Sequence, residues 1–196
     1  MSDFTRRSLL QTIALSATVG GLTLVAAQHV HGVAAQEKTA GGAYKPKGLN
    51  AHEYKTLEKL ADFIIPTDDN SKGAVAAGAP EFIDLLASQN PQLLAIYTGG
   101  IAWLDFTMQR RHSTDFVSAK HEQQIALLDL IAYRKNESPE LGPGIKFFEW
   151  ARRMVVDAYY TSPIGIKDVG YMGNSAMSKF EVPQEAIDYA LKRSPV

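Results

Sequence analysis

The sequence predicts an all-α fold: a single domain of five to six helices with an irregular C-terminal arm. Apolar residues recur at three- and four-residue spacing in one segment after another. Proline or a capping side chain opens most of these segments. Alternating β-branched and aromatic runs, the mark of strands, are almost absent.

The 196 residues carry a net charge of −1 and no cysteine. A near-neutral chain without a basic block is a poor candidate for a nucleic-acid binder. The lack of cysteine excludes disulfides, Cys-ligated zinc, iron–sulfur clusters and covalently attached c-type haem.

Residues 1–35 read as a targeting segment. After Arg6 and Arg7 no Lys, Arg, Asp or Glu occurs until Glu37, and the stretch between is apolar and diluted by Ala, Gly and Thr. The string Thr5-Arg6-Arg7-Ser8-Leu9-Leu10 fits a twin-arginine export signal, two arginines ahead of an apolar pair. Small residues place a cut after Val33-Ala34-Ala35 or after Val25-Ala26-Ala27. Two alternatives stay open, a membrane anchor that is kept and a leader without structure. Twin-arginine export carries folded proteins, either loaded with a cofactor or bound to a partner that carries one. This chain has no evident cofactor motif, which points to the second case.

Residues 36–48 read as a linker, and 49–196 as the folded domain. Asn50 and Glu53 predict a capping box, followed by Tyr54, Leu57, Leu60, Ala61 and Ile64 on one face, with Pro66 as terminator. Pro80 opens a second helix to Gln89 that carries Phe82, Ile83, Leu85 and Leu86. Pro91 opens a third, to about Arg110, with one stripe of Leu94, Tyr97, Ile101, Leu104 and Met108 and another of Ile96, Trp103 and Phe106. Apolar residues on two sides predict a sandwiched helix. Gly99-Gly100 in its middle predicts a kink or the close approach of a neighbouring backbone. Ser118 is the expected cap of a fourth helix with Ile125, Leu128, Ile131 and Ala132 facing inward. Pro143 opens a fifth through Tyr160, and a last short helix runs from Pro183 to about Lys192. Between these two, residues 161–182 have no usable period.

Chemistry-bearing residues are sparse. Asp68-Asp69-Asn70 lacks the later oxygen ligands of a calcium loop and reads as a solvated turn. His52, His112 and His121 show no three- or four-residue spacing that would pair two on a helix face. His121-Glu122 reads either as an acid–base pair or as exposed surface. No Gly-x-Ser-x-Gly elbow and no Gly-x-Gly-x-x-Gly fingerprint occurs, so no catalytic, cofactor-binding or metal-binding residue is expected. The fifth helix carries Phe147, Phe148, Trp150, Met154, Tyr159 and Tyr160, either as the most buried helix or as a contact face. The glycine-bearing stretch that follows needs something to lie against. The expected partner interface is Trp150, Tyr159, Tyr160, Ser162, Pro163, Ile164, Gly165, Tyr171, Gly173 and Asn174. The competing reading folds this arm back over the chain's own helices.

Taken together, several of these segments resemble one family. Leu49-Asn50-Ala51-His52-Glu53-Tyr54, Leu60 to Asp68, Gly73 to Asp84, Phe147-Phe148, Tyr159 to Gly165 and Gly170 to Asn174 are similar to the gluconate 2-dehydrogenase subunit 3 family. The likeness runs from about residue 49 to 190. It implies a non-catalytic small subunit of a bacterial membrane-associated dehydrogenase complex, peripheral to the inner membrane on its periplasmic side. In such complexes a large flavoprotein carries FAD and oxidises a sugar, sugar acid, glucoside or polyol, and a cytochrome subunit with haem c takes the electrons onward. The small subunit escorts the flavoprotein through the twin-arginine translocase and stabilises it. Two readings from other classes remain beside it: a free-standing periplasmic enzyme using His121 and Glu122, and a membrane-tethered helical binding module.

Overall fold

In the computed structural model, residues 6–19, 23–41, 43–171 and 182–193 are described. Their regular structure is helical, with no strand among them. The helices are α1 (Arg6–Val19), α2 (Leu24–Gly41), α3 (Ala51–Ile64), α4 (Ala79–Gln89), α5 (Pro91–His112), α6 (His121–Ile131), α7 (Gly142–Thr161), α8 (Pro163–Asp168) and α9 (Gln184–Arg193). A single 3₁₀ turn at Arg134–Asn136 joins α6 to the loop before α7.

The capping box forms as expected. Asn50 Oδ1 accepts from the N–H groups of His52 and Glu53, each at 2.9 Å, and Glu53 returns a bond to the Asn50 N–H at 2.8 Å. The first four N–H groups of a helix have no partner within it; here two are met by one side chain.

Helix α4 is the centre of the molecule. Every residue from Ala79 to Ala87 is buried, because α1, α2, α3, α5 and α7 all pack against it. Phe82, Ile83, Leu85 and Leu86 are thereby removed from water, each worth about 1.5–3 kcal/mol. Of its two buried carboxylates, Asp84 is fully enclosed. It accepts from the Tyr44 hydroxyl at 2.8 Å and from the N–H groups of Lys47, Gly48 and Leu49 at 2.6, 3.1 and 2.8 Å. Four donors on one carboxylate answer the cost of burying it. They also pin the strap before α3 onto α4. Gly48 sits so close that a Cβ there would lie 2.9 Å from the Ser88 nitrogen.

Helices α5 and α7 cross through reciprocal notches. A Cβ on Gly100 would fall within 2.6 Å of three carbons of the Phe147 ring, and one on Gly144 within 2.8 Å of three carbons of the Trp103 ring. Carbon atoms normally stay 3.5–4.0 Å apart. Each glycine is therefore the seat of the other helix's aromatic ring. The close approach expected at Gly99-Gly100 is thus made by a side chain, and only at Gly100; Gly99 has nothing within 4 Å.

Several sequence expectations need correction. Helix α2 runs on to Gly41, into the stretch read as a linker, because its Ala34 is buried and Lys38 pairs with Glu81 of α4. Ser118 does not cap the fourth sequence helix. Asp115 takes its N–H at 2.7 Å and its hydroxyl at 3.1 Å, closing a turn, and α6 starts only at His121. That shift turns Ile125 outward and buries Gln124, whose amide donates to the Phe116 carbonyl at 2.6 Å. Phe106 is exposed too, with the Arg110 guanidinium 5.7 Å from its ring centre. The arm read as irregular opens with a helix, α8, because the Ser162 hydroxyl caps it by accepting from the Gly165 N–H at 3.0 Å.

Candidate functional site

Among the described residues, an apolar recess lies between α2, the loop before α4 and the α7–α8 junction. It encloses about 520 Å³, lined on one side by His31, Ala35 and Lys38 and on the other by Gly78, Pro163 and Ile164. Its floor carries the polar groups. The Glu81 carboxylate is buried and ion-paired with Lys38. His31 Nε2 lies 3.2 Å from the Thr161 hydroxyl, and its ring rests 4.7 Å from that of Phe82. Burial holds the His31 imidazole below its usual pKa, outweighing the pull of the Ala158 carbonyl and the Glu81 charge.

The expected interface residues divide by burial. Tyr159 is buried, with its hydroxyl 2.6 Å from Ser71 Oγ and donating to Asp168 at 3.1 Å. Ser162 is buried as the α8 cap and donates to the Tyr159 carbonyl at 2.6 Å. Gly165 is buried where α8 folds back; a Cβ there would meet backbone atoms of Tyr159 and Tyr160 within 2.9 Å. These three hold the α7–α8 corner together. Pro163 is exposed and Ile164 half-buried, both at the recess. Tyr160 and Tyr171 stand out at 44% and 49% exposure. Trp150 lies apart, half-buried beneath the Arg153 guanidinium, which is 5.2 Å from its ring centre. Beside it Arg134 makes a bidentate pair with Glu149. Gly173 and Asn174 lie outside the described residues. Of the export pair, Arg6 and Arg7 begin α1.

Other polar residues are engaged within the chain. His52 Nε2 sits 2.7 Å from Asp105, whose hydrogen bond raises the imidazole above its usual pKa, and the second Asp105 oxygen accepts from the Phe116 N–H at 2.9 Å. His121 stacks on Phe63 at 5.1 Å on the surface, next to exposed Glu122. Asp68 accepts from the N–H groups of Asn70 and Ser71, closing the turn and holding its carboxyl below the usual range. Among the described residues, no group of three His, Asp or Glu side chains is placed to hold a metal ion. Among them, too, no helix is long and apolar enough to cross a membrane.

The sequence reading missed Asp84, Glu81, His31 and Lys38. For the first two a signal was present: carboxylates inside the apolar run Pro80-Glu81-Phe82-Ile83-Asp84-Leu85-Leu86, on a helix too apolar to have a wet face.

The described residues define an all-α domain built round a central helix buried from Ala79 to Ala87, with a recess where its N-terminal helices meet its α7–α8 corner. A family model described as gluconate 2-dehydrogenase subunit 3 matches residues 51–178. The chain belongs to the gluconate 2-dehydrogenase subunit 3 family, and the name assigns it to a multi-subunit dehydrogenase complex. No curated protein and no solved structure matches it.

Proposed function

We propose that this chain is the non-catalytic small subunit of a periplasmic, membrane-associated, FAD-dependent dehydrogenase complex acting on sugars, sugar acids or glucosides. It escorts the flavoprotein through the twin-arginine translocase and stabilises it. FAD belongs to the large subunit, and haem c to a cytochrome subunit where one is present. The observation that carries the reading is the family match, which takes in α3 to α8 and thus nearly all of the body. Two features support it. Tyr160 and Tyr171 are exposed aromatics beside the α7–α8 corner, the residue type that anchors protein interfaces. The arginine pair followed by Leu9-Leu10 supports the export role.

The test is co-expression of the tagged chain with a large FAD-dependent dehydrogenase subunit from the same genome, followed by fractionation. A yellow, FAD-bearing flavoprotein that co-purifies from the periplasm is the expected result. Flavoprotein that reaches the periplasm at normal levels without the small chain refutes the escort role.

A further inference from the structure

The face of α4 and α7 beneath the N-terminal helices is itself a helix-docking surface. Helix α1 turns Leu10, Ile13 and Ala14 onto α4, and α2 turns Ala27, Val30 and Ala34 inward, all buried. In α2 those three recur at helical spacing with His31 and Lys38, giving a stripe of small apolar side chains that ends in a cation. The receiving surface is complementary. Phe82 meets His31, Thr161 meets His31 Nε2, and buried Glu81 takes Lys38. Asn90 reaches from the end of α4 to the Ala14 carbonyl at 2.9 Å, fixing α1 as well.

This docking covers what export needs. Leu10 of the twin-arginine string is buried and Leu9 half-buried against the core. Both small-residue cut positions lie inside α2, with Ala27 and Ala34 buried. A translocase and a signal peptidase both require an accessible segment, and a protease cuts helical, packed chain only after local opening. The recess beside α2 is lined by Pro163 and Ile164, which belong to the expected flavoprotein interface.

We infer that the leader is latched onto its own domain by the α4–α7 face, which conceals the export signal, and that the flavoprotein releases it by entering along α8. The inference rests on the export reading proposed above. Its occupant in the free subunit is this chain's own helices α1 and α2, and its effect is to make export wait for assembly.

The experiment uses the full-length chain, the variant Val30→Asn, which puts an amide at a fully buried position without adding charge, and the control Val25→Asn at a site 78% exposed. Hydrogen exchange is followed through α2 and, as a fold control, through α3 and α5. Wild type and Val25→Asn are expected to protect Ala27 to Lys38 by at least about tenfold over Val30→Asn, with α3 and α5 unchanged in all three. Adding purified flavoprotein subunit is expected to abolish that protection in wild type. Equal exchange in wild type and Val30→Asn, or full protection retained in the complex, overturns the latch.

Fractionation then reads the consequence. In cells without flavoprotein, wild type is expected to stay in the cytoplasm and Val30→Asn to be exported. Equal export of the two overturns the concealment. If neither leaves the cytoplasm even with flavoprotein present, the twin-arginine reading falls and the concealment with it, while hydrogen exchange still decides the latch and its release.

Discussion

Two adjacent glycines in α5 are expected to respond to the same substitution with opposite sign. Gly99 lies inside the helix with nothing within 4 Å of an added Cβ. Replacing it by alanine removes only the entropic handicap of glycine, so Gly99→Ala stabilises the domain by about 1 kcal/mol. Gly100→Ala gains the same amount but sets a methyl group within 2.6 Å of three Phe147 ring carbons. The ring is held from another side by Tyr97, edge-on at 5.9 Å, so it has little room to retreat. Forcing extra volume into a packed core costs about 1–3 kcal/mol, and expelling a phenylalanine costs about 3–5. A cost of about 2–4 kcal/mol, between these two limits, less the gain of about 1, leaves a net loss of about 1–3 kcal/mol. For a chain of this size, about 2–4 °C in Tm accompanies each kcal/mol. Thermal unfolding followed by circular dichroism is therefore expected to raise Tm by about 2–4 °C for Gly99→Ala, and to lower it by about 2–12 °C for Gly100→Ala. Gly100→Ala combined with Phe147→Leu is expected to lose less than the two single losses added together, because the smaller side chain vacates the contested space. A Tm that rises for Gly100→Ala as it does for Gly99→Ala refutes the notch.

Asp84→Ala strips the acceptor from three N–H groups and one hydroxyl, and a single orphaned donor costs about 1–3 kcal/mol, so a loss of at least about 3 kcal/mol in urea unfolding is expected; a loss below 1 kcal/mol contradicts the pin. Tyr171→Ala, at an exposed side chain, is expected to leave helicity and Tm unchanged while the flavoprotein no longer co-purifies; a lower Tm with retained binding assigns the arm to the fold. Arg6→Lys with Arg7→Lys is expected to hold the protein and its partner in the cytoplasm, since lysine lacks the planar donor fork of arginine; undiminished periplasmic protein argues against the signal. The His52–Asp105 pair raises the imidazole pKa, so its contribution is complete below about 6.5 and disappears as pH rises through the raised value. His52→Ala is accordingly expected to flatten the fall in Tm across that rise, measurably at low salt and less at high salt, because the pair is exposed; an unchanged pH profile removes the pair from the stability account.

Helices whose ends and faces are both set locally were legible. The cap at Asn50, the proline at the start of α5 and the Tyr97–Met108 stripe needed only neighbours within one or two turns. Where a distant residue decides, the sequence was silent. Nothing near Ile125 announces that Asp115 captures Ser118 and leaves α6 to start at His121, and nothing in Gln36–Gly41 announces that Glu81 holds Lys38. At the α7–α8 corner the glycine content suggested an irregular arm, yet Gly165 serves a tight backbone contact. Of the expected interface residues, Tyr160 and Tyr171 are exposed. The recess was not legible, because it arises only when segments far apart in sequence come together.

The burial of α4 from Ala79 to Ala87 ties the chain's melting to mass action. Part of its sheath is α1 and α2, and any species that binds only the folded body adds RT ln(1 + [L]/Kd) to its stability. A body whose N-terminal cover is gone keeps one side of α4 bare until a partner supplies the missing wall. Its midpoint of unfolding then becomes a function of how much partner is present, about 2.7 kcal/mol at a hundredfold excess over Kd. Uncovered chain without a partner is in that condition less stable than the same chain covered or bound.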